Sequence, residues 1–351
     1  MFHTFNRVSN DTKTFHGYRL FAVDGTDLNI PRNPAADTFI TSSDNPTGYN
    51  QFHLNALFDL CNKVYKDCVV QPRPKSDERG ALITMLKRNV FRQKNLIIAD
   101  RGYESYNMIT HVLKTNNLDF LFRVKQDKGS MTEIQKLPMA TLDCDINTPI
   151  TTTQTNEDKE LGRIFIQTGS KKGKKNSPKT FISRWDFESP YELKFRVVRF
   201  LLDSGEYETV VTSLNRNDFP IHLIKELYHM RWGVETSFRE LKYAMGLVNL
   251  HSKKDELIRQ DIFSCLIMYN FCERITNSVV VQQNIKNVHT YQVNYTMAIY
   301  ICRDFYSRVN RIGFSVQREI QRYILPLRPG RRDKRNVRAK TVVSFLYRVA
   351  A

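Results

Sequence analysis

The sequence predicts an α/β fold: a mixed sheet with helices on both faces, a β-rich insertion and a helical C-terminal region. Three observations predict it. Short apolar runs that end in acidic residues alternate with helical periodicity over the first third of the chain. A stretch of threonines, charged turns and paired apolar runs then interrupts that rhythm. Beyond it, apolar residues recur at helical spacing almost to the end.

The elements follow in order. Tyr18–Val23 (YRLFAV) is a short apolar strand that ends at Asp24, and Gly25 and Thr26 read as the start of a loop. Gln51–Leu60 and Val64–Val70 are two further strands, and the Cys61-Asn62-Lys63 gap suits a tight hairpin. Three early strands joined this way suggest an antiparallel meander. Ser76 suits the N-cap of a helix reaching Phe91, with Leu82, Met85, Leu86 and Val90 at helical spacing. Asn95–Ala99 (NLIIA) is a continuous apolar run, as a strand buried on both faces requires, and it ends at Asp100. A helix over about Glu104–Lys114 and a strand Phe120–Val124 follow. Two acidic residues thus stand at the C-terminal ends of strands, where open α/β sheets place ligands.

Lys125 to Leu214 read as the insertion. It holds the threonine-rich run 151–155 and a charged turn at Lys171–Lys175 (KKGKK). Strands Phe195–Leu202 and Glu206–Leu214 pair across Asp203-Ser204-Gly205. A long helix then starts near Asp218, with Pro220 in its first turn, and runs to about Met245, where Gly246 can end it. Helices over 257–280, 290–312 and 316–325 precede a basic run, Arg328–Lys340. The predicted divisions are therefore 1–125 (core, first part), 126–214 (insertion), 215–250 (core helix) and 251–351 (helical region with basic tail).

Composition narrows the function. With 351 residues, 41% of them hydrophobic, the chain can bury a sizeable core and is not disordered. A net charge of +17 suits a polyanion, because each phosphate neutralised by Lys or Arg releases a counterion. None of the six cysteines forms a CxxC pair, so zinc-ligand spacing is absent, and a reducing compartment is expected. The N-terminus has no signal-peptide run, and no stretch approaches the ~20 apolar residues of a membrane helix, so a soluble, cytoplasmic protein is expected.

One segment of the long helix carries most of the chemistry. In YHMRWGVETSFRELK, Tyr228, Arg231, Glu235 and Lys242 fall at offsets of three, seven and fourteen. On a straight α-helix these lie within an arc of roughly 60°, and Arg239 joins the same stripe. Such a stripe fits a solvated face with ion pairs four residues apart. It fits equally a face that handles phosphate, with Glu235 on a divalent metal, Arg231 and Lys242 on backbone phosphates and Tyr228 donating to one.

The spacing Y-x2-R-x3-E-x6-K resembles the signature of a group of bacterial insertion-sequence transposases of the DDE type, the YREK group. In that group the Glu is the third catalytic carboxylate. Asp24 in AVDGT resembles the first catalytic Asp, and Asp100 in IIADRGY resembles the second, followed by its Arg-Gly-Tyr. Asp27 is a second candidate near the first position. The resemblance covers roughly Tyr18–His251 and implies a ribonuclease H-like fold with Asp24, Asp100 and Glu235 as catalytic, metal-binding residues. Three carboxylates form a hard oxygen site suited to two Mg²⁺ or Mn²⁺ ions. Tyr228, Arg231, Arg239, Lys242 and Arg101 are the DNA-binding candidates.

The resemblance further implies double-stranded DNA partners (transposon ends and target), a homodimer on DNA and action at the nucleoid. Such enzymes often pass through a DNA hairpin with a flipped base stacked on an aromatic of the insertion, for which Trp185 and Tyr207 are candidates. Relatives usually carry an N-terminal DNA-recognition domain. Here Asp24 lies close to the start, so a catalytic core lacking that domain is expected. A nuclease that cuts without joining strands, and a catalytically silent DNA-binding remnant, are the competing readings.

Overall fold

A computed structural model describes residues 13–43, 45–125, 131–166, 185–250, 252–283, 289–307, 315–327 and the backbone of 346–347. The basic runs Lys171–Lys175 and Arg328–Lys340 lie outside the described residues. The main strands are β1 (Arg19–Ile30), β2 (Phe39–Ser42), β3 (Asn45–Asp59), β4 (Val64–Pro72) and β5 (Asn95–Ala99). They continue with β6 (Leu118–Arg123), β7 (Leu142–Thr151), β8 (Ile164–Phe165), β9 (Tyr191–Leu201) and β10 (Tyr207–Thr212). The main helices are α1 (Glu78–Arg88), α2 (Tyr106–Leu113), α3 (Ile221–Met230), α4 (Trp232–Arg239), α5 (Asp255–Asn277), α6 (Tyr295–Ser307) and α7 (Val316–Gln321). The α/β class and the helical C-terminal region are as the sequence predicts. No helix among the described residues is long and apolar enough to cross a membrane.

The chain forms two compact units. One holds Thr14–Asp24 and Glu78–Trp232; the other holds the described residues of Gly25–Asp77 and Gly233–Ala351. In the first, β1 runs parallel to β5 from Arg19↔Asn95 to Val23↔Ala99, and β5 runs parallel to β6 from Asn95↔Leu118 to Ala99↔Phe122. All five residues of β5 are buried, which is why the run NLIIA is apolar throughout rather than alternating. Antiparallel β10, β9 and β7 then extend this sheet from β6. Val197, Val198, Val210 and Val211 are fully buried and join its core. The strands of the predicted insertion thus grow directly on the edge of β6.

In the second unit, β3 pairs antiparallel with β2 and with β4. The β3–β4 hairpin turns where the sequence places it, with Lys63 at φ 53. Helix α5 is tied to β4 by Asn270, fully buried, whose amide brackets one residue. The backbone N–H of Tyr65 donates to Asn270 Oδ1 (2.7 Å), and Asn270 Nδ2 donates to the Tyr65 carbonyl (2.8 Å).

Several expectations are corrected. β1 does not end at Asp24 but continues to Ile30, because Leu28 and Ile30 are buried while Asp27 and Asn29 are half-buried, a period of two that keeps the chain extended. Gly25 and Thr26 are therefore strand, not loop. β2 and β7 escape the sequence reading: β7 (LDCDINTPIT) is rich in Asp, Asn, Thr and Pro and buries few of its positions. The long helix is not continuous. It starts at Ile221 with Pro220 as its N-cap, breaks at Arg231, and passes at Glu240–Ala244 into a π-helical turn. Gly246 does close it, at φ 79.

Asn270→Ala strands two buried backbone groups of Tyr65. Loss of both bonds is expected to cost on the order of 3 kcal/mol, read as a lower denaturant midpoint with an unchanged slope. A midpoint equal to wild type would show that the bracket contributes nothing.

Candidate active site

The register of β1 and β5 places two carboxylates side by side. Val23↔Ala99 is the last paired position, and Asp24 and Asp100 are the next residues on the two strands. Neighbouring strands lie about 4.8 Å apart, so the two side chains leave the sheet together. Both are half-buried. Asp24 sits inside a longer strand and Asp100 at the end of its own.

The loop after Asp100 is built around that carboxylate. Asp100 Oδ1 accepts from the Gly102 N–H at 2.8 Å. A Cβ on Gly102 would stand 2.9 Å from the same oxygen and 3.4 Å from Glu78 Oε2, so only glycine lets the backbone come this close. Arg79 Nε donates to the Gly102 carbonyl (2.9 Å), and Tyr103 is fully buried beneath the turn. Glu104, also buried, accepts from the N–H groups of Lys125 (2.8 Å) and Met131 (3.0 Å). Asp100 does not cap α2, whose N-cap is Ser105. Arg101 is exposed.

Arg231 faces the other aspartate. Its Nη1 lies 3.8 Å from Asp24 Oδ2, with the arginine side chain 7% exposed and the aspartate 23%. The guanidinium also lies over the Trp232 ring at 5.0 Å and the Tyr228 ring at 5.8 Å. Burial pushes the Tyr228 phenol up to about 12, with Arg231 opposing the shift. Nearby on β10, burial raises the carboxyl of Glu208, and Arg123, Arg231 and His229 oppose it. Glu208 is paired with Arg123 at 2.8 Å. Arg231 therefore lies in the field of acids on two different strands.

The remaining predicted residues belong to the second unit. Glu235 is half-buried in the first turn of α4, flanked by buried Val234, Ser237 and Phe238. A Cβ on Gly233 would meet Leu60 Cδ2 at 2.8 Å, so glycine lets the helix approach that side chain. Arg239 is exposed, and Lys242 is half-buried inside the π turn. The expected stripe is thus not one uniform face: Tyr228 and Arg231 are buried, and the π turn shifts Lys242 from its position on a straight helix.

Donors of oxygen alone suit a hard divalent cation, and Asp24 with Asp100 supplies two such groups on rigid strands. Among the described residues no group of three or more His, Cys, Asp or Glu side chains is placed to hold a metal. Sequence reasoning passed over Glu78 beside Gly102, and Glu208. It also did not foresee that Asp27 is engaged by His53 Nδ1 (2.6 Å) and Arg73 Nε (2.9 Å), which hold its carboxyl below the usual range against burial. Trp185 is a packed aromatic: it is 8% exposed, donates Nε1–H to the Glu188 carbonyl (3.0 Å) and sits against Phe187 and Tyr191. Tyr207 is half-buried at the start of β10.

Comparison with known proteins follows the same lines. Residues 15–271 match the family described as Transposase DDE domain. The transposase for insertion sequence element IS421 of Escherichia coli is 30% identical over 90 residues, 25% of this chain and 24% of that protein. The InsL protein of insertion sequence element IS186A of Escherichia coli (strain K12) matches to the same extent. The matched stretch spans about a quarter of these curated relatives. A piggyBac transposase in a synaptic complex with hairpin DNA aligns with a TM-score of 0.45 and 12% identity, over 90% of this chain and 60% of the other.

Gly102→Ala is expected to displace the Asp100 carboxylate. Mn²⁺ titration should show affinity weakened about tenfold, or ~1.4 kcal/mol, with a melting temperature within a few degrees of wild type. Unchanged Mn²⁺ affinity would mean that the turn does not position Asp100.

Proposed function

The chain belongs to the family of transposase DDE domains, and from that premise we propose that it is a transposase catalytic core that hydrolyses DNA at transposon ends and joins the freed 3′-hydroxyl to target DNA. The observation that carries the proposal is the pair of aspartates at equivalent positions on paired parallel strands. Asp24 and Asp100 are two metal-binding carboxylates, and Glu235, by the motif it occupies, is the third. Bound Mg²⁺ or Mn²⁺, two ions in number, would supply the positive charge that lets an anionic phosphodiester be attacked and its leaving oxygen stabilised.

The chain's own residues prepare that site. The Gly102 N–H donates to Asp100 Oδ1 and so fixes the direction of that carboxylate. Arg231, 3.8 Å from Asp24, offsets the like charges of the pair. Arg101 and Arg239, both exposed, are the first candidates for phosphate contacts. Lys242 would add charge from the π turn. Tyr228, whose phenol is buried and stays protonated at neutral pH, would act as a hydrogen-bond donor. The partner is double-stranded DNA, bound by a homodimer at the nucleoid, and the +17 charge suits it.

Asp24→Asn, Asp100→Asn and Glu235→Gln should each lower Mg²⁺-dependent cleavage of a transposon-end duplex by roughly a hundredfold or more, the scale of losing one preorganised electrostatic partner. Wild-type cleavage by any of the three would remove that residue from the site. Joining of a pre-cut 3′-hydroxyl end to plasmid separates a transposase from a nuclease that only cuts.

A further inference from the structure

Beneath the helix that bears Glu235 lies a buried network of hydroxyls and carboxylates. We propose that Tyr65 and Tyr269 are positioning residues for Glu235, fixing the rotation of α4 through hydrogen bonds to Ser237 and Glu240. The proposal rests on the reading of Glu235 as a metal-binding carboxylate.

The first anchor is Ser237, 1% exposed and two residues beyond Glu235. Its Oγ lies 2.9 Å from the Tyr65 hydroxyl and 2.7 Å from the Val234 carbonyl. A serine has one hydroxyl proton, and the carbonyl can only accept, so Ser237 donates to Val234 and Tyr65 donates to Ser237. Tyr65 cannot follow a turning helix. Its backbone is bracketed by Asn270, and its ring lies against Tyr269 and Phe58, both at 5.0 Å and neither on α4.

The second anchor is Glu240, the first residue of the π turn, which accepts from the Tyr269 hydroxyl at 2.9 Å. Ser237 and Glu240 are three residues apart and share one helix face. At about 100° per residue, Glu235 lies roughly 140–200° around the axis from both. Pinning the inner face therefore aims Glu235 outward. Apolar packing is non-directional and would tolerate a small rotation. Hydrogen bonds are directional, and a metal ligand must be held within about 0.5 Å and 10–20°. The π turn is the backbone adjustment that accompanies this second bond, and such turns are frequent at functional sites.

A second buried acid belongs to the network. Glu273 on α5 is 2% exposed, and its Oε2 has no hydrogen-bond partner among the described residues. Burial first, and the neighbouring Glu240, push its carboxyl up to about 8. Lys63 from the β3–β4 turn and Tyr295 from α6 oppose the shift, and Cys302 of α6 adds to it. Lys63 Nζ donates to the Tyr295 hydroxyl at 2.8 Å. A neutral Glu273 beside Glu240 avoids two adjacent buried charges and leaves Glu240 free to accept from Tyr269.

The test uses the full chain with Tyr65→Phe, Ser237→Ala, Tyr269→Phe and the Tyr65→Phe/Ser237→Ala double variant. Three quantities are read: the Mg²⁺ midpoint and saturating rate of end cleavage, amide hydrogen exchange over 235–244, and melting temperature. Tyr65→Phe and Ser237→Ala should each raise the Mg²⁺ midpoint about tenfold, the scale of losing an outer support of a metal ligand. The saturating rate should change far less, the double variant should be no worse than either single one, and exchange should quicken over 235–244 alone. A wild-type midpoint in both Tyr65→Phe and Tyr269→Phe, while Glu235→Gln is inactive, overturns the proposal. So does exchange quickened evenly along the chain, which marks a merely structural role. If Glu235→Gln cleaves like wild type, it is the reading of Glu235 that falls, and the exchange data still decide whether the tyrosines fix the helix.

Glu273 gives an independent arm. A folded-state value above the ordinary carboxylate range contributes stability at low pH that is lost as pH rises to about 8. Glu273→Gln should remove that part of the decline in melting temperature. An unchanged decline would refute a neutral Glu273 in the network.

Discussion

Backbone pairing from Arg19↔Asn95 to Val23↔Ala99 holds β1 parallel to β5, and the aspartate pair depends on its register. Side chains alternate across a sheet with a period of two, so a slip of one residue would turn one aspartate to the opposite face. Burial opposes the slip through the acids at the strand ends. Leu20–Val23 and all of β5 are buried, and a slip would set one aspartate beside the other strand's apolar run. Two residues 76 positions apart in sequence are thus brought together by backbone hydrogen bonds and apolar packing, neither of which involves the carboxylates.

Two carboxylates on adjacent strands repel, and the surroundings show how that cost is offset. Asp100 takes a backbone N–H from its own loop, and Asp24 faces a guanidinium at 3.8 Å. Arg231 stands between α3, which ends at Met230, and α4, which begins at Trp232. The arginine is 6% exposed, which is costly for a permanent charge unless acids lie within its field. Asp24 and Glu208 provide that field. Burial and charge therefore explain one another.

Much of the fold was legible because burial on two faces writes itself as an apolar run, as in NLIIA, and a hairpin as two runs around a short polar gap. β7 was illegible for the converse reason: its pairing with β9 is a backbone matter, and its side chains are too polar to report it. The end of β1 was misread because Asp-Gly looks like a turn, whereas Leu28 and Ile30 keep the chain extended. The charged residues of the motifs stand out in the sequence by type and spacing. The break at Arg231 and the π turn do not, since neither leaves a proline or a glycine pair in the helix to announce it.

The uncharged members of the motifs are fixed by contact rather than by charge. Gly102 is fixed by the 2.9 Å approach of a Cβ to Asp100 Oδ1, and Tyr103 by full burial beneath the same turn. Ser237 follows Glu235 and spends its only proton on its own helix, which leaves Tyr65 to donate across to it. None of these residues is charged, yet each lies against a carboxylate of the motifs or against the helix that bears one. A charged residue in such a motif can be recognised by its chemistry. Its small and aromatic neighbours become intelligible only through the distances that require them, because a close approach or a buried hydroxyl leaves no charge pattern in the sequence to announce it.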